Sequence, residues 1–143
     1  MIIDGKKEAA LLREEIKKEI ISLKDKTNRI PGLTVILIGD FAPSQIYVRN
    51  KEKNSKEVGI NSSIIKYSKD VTEEEVLKKI KALNSDKDVS GILVQLPLPD
   101  QIDKEKIINS IDPTKDVTEE EVLKKIKELN KNKDVSGVLV QLP

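Results

Sequence analysis

The stretch KDVTEEEVLKKIKALNSDKDVSGILVQLP, Lys69 to Pro97, recurs at Lys115 to Pro143 with 25 of 29 positions identical. The copies differ only at Ala82/Glu128, Ser85/Lys131, Asp86/Asn132 and Ile92/Val138. Each copy reads as one helix followed by one strand. Thr72 and Glu75 have the spacing of a capping box, in which each side chain accepts from an otherwise unpaired backbone N–H. Val76, Leu77, Ile80 and Leu83 then form an apolar stripe, Asn84 begins the helix exit, and GILVQLP reads as a strand buried on both faces. A solenoid needs three or more such repeats, and Met1 to Ser68 contains no third copy. The repetition is therefore expected to be a recent or deliberate duplication within one domain.

The remaining segments alternate in the same way. From Lys6 to Leu23 the residues Ala9, Leu12, Ile16, Ile20 and Leu23 recur at helical spacing between charged faces. Leu33 to Ile38 is apolar except for Thr34, as in a central strand of a parallel sheet. APSQIYVRNKEKNSKEVG predicts a helix with Ser44 as its cap and Gly59 as its stop. INSSIIKYS reads as a more polar strand near a sheet edge, and Ile102 to Ile111 as a short helix. Strands alternating with helices predict an α/β domain over 1–143, an open parallel four-stranded sheet with flanking helices. Its expected order is 2-1-3-4, a flavodoxin-like half, with Gly137 to Leu142 beside Gly91 to Leu96.

Composition narrows the chemistry. The 26 Lys and Arg balance 25 Asp and Glu, so no basic patch or aromatic platform points to nucleic acid. The apolar runs are too short to span a membrane, and Met1 leads into IIDGKKEAA without a signal-peptide core. A soluble, cytoplasmic protein is expected, one with no metal and no cofactor. Without cysteine or histidine, thiol and imidazole chemistry are excluded, and catalysis would rest on Lys, Tyr, Asp or Glu. Tyr47 and Lys51, four apart, share one face of the predicted helix. From the residues alone, that face reads first as an exposed amphipathic surface, and Gln95 as a polar strand end. Glu73 to Glu75 and Glu119 to Glu121 read as helix-start charges favoured by the dipole.

Three ordered motifs carry a resemblance. Ser44, Tyr47, Val48, Lys51 and Lys53 stand in the arrangement S-x-x-Y-V-x-x-K-x-K, followed by GILVQLPLP and IDPTKD. Together, from Ile2 to about Val117, they resemble the amino-terminal folate domain of the bifunctional methylenetetrahydrofolate dehydrogenase/cyclohydrolase family. The resemblance implies that Tyr47 stacks on a folate and that Lys51 handles the proton and polarises the reacting one-carbon bridge. It further implies that Gln95 hydrogen-bonds Lys51, while Val94, Leu96 and Pro97 line the pocket. Gln141, lacking an upstream Tyr-x-x-x-Lys helix, is expected to be structural only.

Two departures shape the functional expectation. The family reads K-D-V-D-G where this chain reads KDVTEE, placing Thr118 at the pterin-binding aspartate. None of the six glycines forms the G-x-G-x-x-G loop of a dinucleotide site. The expectation is therefore a truncated folate domain extended by its own fragment, 115–143: an engineered or recombined structural domain without activity, its Lys51 and Gln95 vestigial. The alternative is a residual folate-binding module or partial methenyltetrahydrofolate cyclohydrolase. Folate, weakly held, is the expected partner, and the duplicated segment offers a route to a homodimer.

Overall fold

The computed structural model describes residues 5–116. In chain order the elements are α1 (Gly5–Thr27), β1 (Gly32–Ile38), α2 (Ala42–Val58), β2 (Asn61–Tyr67), α3 (Glu73–Ser85), β3 (Gly91–Val94) and α4 (Lys104–Asn109). β1 pairs in parallel with β2, from Gly32↔Asn61 to Ile38↔Tyr67, and with β3, from Leu33↔Gly91 to Ile36↔Val94. The order β2-β1-β3 matches the expected α/β fold, a parallel sheet flanked by helices. The expected fourth strand at 137–142 lies outside the described residues. At Ile92 the backbone N–H donates to Lys115 O at 2.8 Å, and Ile92 forms an isolated parallel bridge with Asp116.

The apolar run of β1 makes sense in this position. Flanked on both edges and covered on both faces, its residues from Thr34 to Ile38 are all buried. One face packs Ile36 and Ile38 with Val76, Ile80 and Leu83 of α3, Ile92 of β3 and Ile107 of α4. The other packs Val35 and Leu37 against Val48 of α2, with Leu33, Ile64 and Leu93 alongside. β2 is the sheet edge among the described residues and alternates exposed and half-buried positions, in keeping with its polar sequence.

Helix ends show where side-chain chemistry sets the boundaries. Ser44 is not the cap of α2: Phe41 occupies that position, a proline follows in the first turn, and Ser44 is buried. Gly59 ends the helix in the left-handed region, φ 92°, which favours glycine. Thr72 caps α3 by accepting from Glu75 N at 3.3 Å. Asn84 does not leave the helix as expected. It lies within α3 and clamps the chain after α4, donating to Ser110 O at 2.8 Å and accepting from Asp112 N at 3.0 Å. Lys115 Nζ reaches the open end of α3, donating to Leu83 O at 2.9 Å and Asp86 O at 2.6 Å, where a cation meets the negative end of the helix. Glu73 is more than a helix-start charge, since it accepts from Asp103 N at 2.8 Å and from Lys106 Nζ, tying α3 to α4.

The expected apolar stripe of α1 is only partly covered. None of its residues is buried, and Leu12 and Leu23 remain 50% and 42% exposed. The helix is held to α2 by the Arg13–Glu57 ion pair at 3.4 Å.

Candidate active site

In an open parallel sheet, ligands bind beyond the carboxyl ends of the strands, where neighbouring strands send their connections to opposite faces. Here that point lies between β1 and β3. The chain leaves β1 for α2 on one face, and leaves β3 for α4 on the other. At the end of β1, Gly39 adopts φ 79° and its N–H donates to Tyr67 O at 2.9 Å.

The polar residues beside this crevice form one connected group. Ser44 and Lys51, seven apart on α2, lie two turns from each other on one helix face. Across from them, Gln95 is only 2% exposed. Its backbone N–H continues the ladder past β3 by donating to Ile36 O at 2.9 Å. Lys51 Nζ donates to Gln95 Oε1 at 3.2 Å, and Gln95 Nε2 donates to Leu96 O at 3.0 Å. Ser44 Oγ donates to the same carbonyl at 3.1 Å. Because an ammonium can only donate, it selects the oxygen of the Gln95 amide and turns the amide nitrogen toward Leu96 O.

Burial holds the Lys51 amine below its ordinary value of 10.5. Among the described residues Lys51 enters no ion pair, and its recorded partner is a neutral amide. No carboxylate therefore offsets the desolvation that disfavours its charged form. A lysine so placed is easier to deprotonate than one in water, as proton transfer near neutrality requires.

The other sequence-predicted residues are placed less uniformly. Tyr47 is half-buried one turn before Lys51 on α2. Val94 is half-buried and packs against the main core. Leu96 is half-buried, Pro97 is exposed, and the peptide between them is cis. Gln141 and Thr118 lie outside the described residues. Among the described residues no group of three or more His, Cys, Asp or Glu could hold a metal, and no helix is long and apolar enough to cross a membrane. Cavities of about 360 and 430 Å³ open at the opposite, amino-terminal ends of the strands, lined by residues such as Arg29 and Lys87, and Ser62 and Asp88.

Sequence reasoning took Ser44 for a helix cap and missed its contact with the loop after β3. Its seven-residue spacing from Lys51, which puts both on one helix face, was the available signal.

Residues 3–118 match the model of the tetrahydrofolate dehydrogenase/cyclohydrolase catalytic domain. The chain is 61% identical over 113 residues to the bifunctional protein FolD of Pelagibacter ubique, covering 79% of this chain and 40% of that protein. The corresponding protein of Prosthecochloris aestuarii is 51% identical, with 79% and 38% covered. Among solved structures, the Campylobacter jejuni bifunctional methylenetetrahydrofolate dehydrogenase/cyclohydrolase superposes with a TM-score of 0.77 at 46% identity, covering 80% of this chain and 40% of that one. The Trypanosoma brucei enzyme, solved with NADP cofactor and inhibitor, gives 0.76 at 33% identity, with 79% and 38% covered. This chain thus spans about 40% of the length of the curated relatives it matches. These similarities overturn the expectation of an engineered or recombined structural domain without activity. Identity of 61% to a bacterial bifunctional enzyme, carried through the catalytic-domain match, points to a genuine folate-enzyme domain.

Proposed function

Because the chain belongs to the tetrahydrofolate dehydrogenase/cyclohydrolase family, we propose that it binds a reduced folate in the crevice between β1 and β3 and acts on its one-carbon bridge. The observation that carries this reading is the Lys51–Gln95 hydrogen bond of 3.2 Å, formed at the switch point of the sheet with the lysine partly desolvated. The step its own residues serve is hydrolysis of a methenyl bridge. Water adds to the cationic bridge carbon and gives up one proton, one C–N bond breaks, and the released nitrogen takes the remaining hydroxyl proton, leaving a formyl group. Lys51 moves the proton and Gln95 holds its amine in place. Tyr47 supplies a ring for the folate to stack on, and the main chain at Val94 and Leu96, with Pro97, walls the pocket. Relatives of this family include one solved with NADP. The six glycines of this chain form no G-x-G-x-x-G motif.

We also read residues 115–143 as a duplicated extension of the domain and as the contact of a homodimer, which light scattering of the chain with and without that segment would detect. The functional reading is tested by calorimetric titration with 5-formyltetrahydrofolate and by following loss of 5,10-methenyltetrahydrofolate absorbance. The wild-type chain should bind and hydrolyse, and Lys51→Ala should lose about a hundredfold or more of the hydrolysis, the usual worth of a positioned acid or base. A folded wild-type chain that neither binds nor hydrolyses would refute it.

A further inference from the structure

We propose that Ser44 is a positioning residue that fixes the orientation of the Gln95 amide toward Lys51. The role in turnover rests on the folate-site reading above, while the structural part stands without it. The Gln95 amide can be placed either way round about its last torsion, with oxygen and nitrogen exchanged. Only one placement serves Lys51, the one with Oε1 at Nζ, and it obliges Nε2 to find an acceptor on the other side. That acceptor is Leu96 O, at 3.0 Å.

Leu96 lies beyond the last ladder residue of β3, Val94, in the loop leading away from the strand. Its carbonyl is held by a donor from outside the loop, Ser44 Oγ at 3.1 Å, from a residue 52 positions earlier in the chain. At 3% exposed, Ser44 is removed from bulk water. A serine in the first turn of a helix ordinarily bonds its own backbone, whereas this one reaches across to the other side of the crevice. Since Ser44 and Lys51 stand on the same rigid helix, α2 grips Gln95 at both ends. Lys51 holds the oxygen directly, and Ser44 holds the carbonyl that receives the nitrogen. Without the hydroxyl, the carbonyl keeps one donor and the loop is free to shift. The amide can then turn its N–H₂ toward the ammonium, a donor facing a donor.

The test uses the full chain, ¹⁵N-labelled and without ligand. The side-chain amide signals of Gln95 are identified by their loss in Gln95→Leu. In Ser44→Ala, exchange of the Gln95 Nε2 protons should rise about tenfold, the equivalent of one lost hydrogen bond. Hydrolysis of 5,10-methenyltetrahydrofolate should lose about tenfold in kcat, with KM changed by less than about threefold, because the variant disturbs the reacting pair rather than substrate binding. Ser44→Thr, which keeps the hydroxyl, should restore both readouts, and it carries the comparison with wild type should the alanine variant fail to fold. Unchanged amide exchange in Ser44→Ala, or a threonine variant whose amide exchanges about tenfold faster than wild type, would overturn the assignment. Absence of hydrolysis in the wild type would refute the folate-site reading alone, since the amide readout needs no substrate.

Discussion

Replacing Gln95 by leucine separates the two halves of its role, because the side chain keeps its approximate volume and loses every polar atom. Two hydrogen bonds disappear, the charge-assisted one from Lys51 at 3.2 Å and the neutral one to Leu96 O at 3.0 Å. The first contributes about 1.5–3 kcal/mol and the second about 0.5–1.5 kcal/mol. Opposing them, a leucine at a 2% exposed position gains up to about 1.5–3 kcal/mol of apolar burial. Leu96 O keeps Ser44 as its donor, and half-buried Lys51 is still reached by water where it stands, so neither is stranded. The balance is a net loss of about 1 kcal/mol, or a fall in Tm of about 3 °C for a domain of this size. The more discriminating quantity is the titration of Lys51. Removing the amide withdraws a bond that favours the ammonium, and leucine adds desolvation that disfavours it, so both changes push its already lowered value further down. Titrating the ¹³Cε signal of Lys51 in both proteins measures this directly. A value that stays put or rises in Gln95→Leu would mean that the pair is not formed in solution.

The stability change on Lys51→Met should be more favourable near neutral pH than in alkali. Burial sets the folded-state value of Lys51 below its ordinary 10.5, so the cost of burying the cation is present in full below the folded value. It is relieved as pH rises through that value toward the unfolded one. Urea unfolding at several pH values reads the difference, and a difference that does not vary with pH contradicts the reasoning. Ile80→Ala, at a fully buried position of α3, should cost about 2–5 kcal/mol by urea denaturation; a loss under about 1 kcal/mol would show that the α3 face of the sheet is not tightly packed. Thr72→Ala removes the cap bond to Glu75 N and should lower stability by about 1 kcal/mol, with no loss if the α3 terminus is frayed.

Most of the architecture was legible because burial writes a strong pattern. The apolar run of β1, interrupted only by Thr34, announced a strand covered on both faces, and the polar character of β2 announced an edge. The Lys51–Gln95 pair was reached through resemblance, and periodicity alone supplied only the shared helix face of Tyr47 and Lys51. What stayed hidden were bonds between residues far apart in sequence. Ser44 looked like a cap because serine near a helix start usually is one, and nothing local shows that the carbonyl of Leu96 will arrive beside it. Asn84 looked like an exit for the same reason, although its amide is used by Ser110 and Asp112. Glu73 likewise read only as a helix-start charge, and Lys115 only as part of a motif, until the fold brings them to Lys106 and to the end of α3. The functional expectation failed differently. It weighed two departures from the family pattern above a similarity that runs through the whole catalytic-domain match.

The register of the sheet also bears on when the site comes into being. β1 meets β2 at a separation of 29 residues, Gly32 with Asn61, and meets β3 at 58, Leu33 with Gly91. Loop closure favours the nearer partner, so the β1–α2–β2 unit can condense first and receive β3 afterwards. Lys51 belongs to that early unit and Gln95 to the late one. A nascent or partly unfolded chain would therefore present the amine without the amide that orients it, and the pair would form only once β3 has docked.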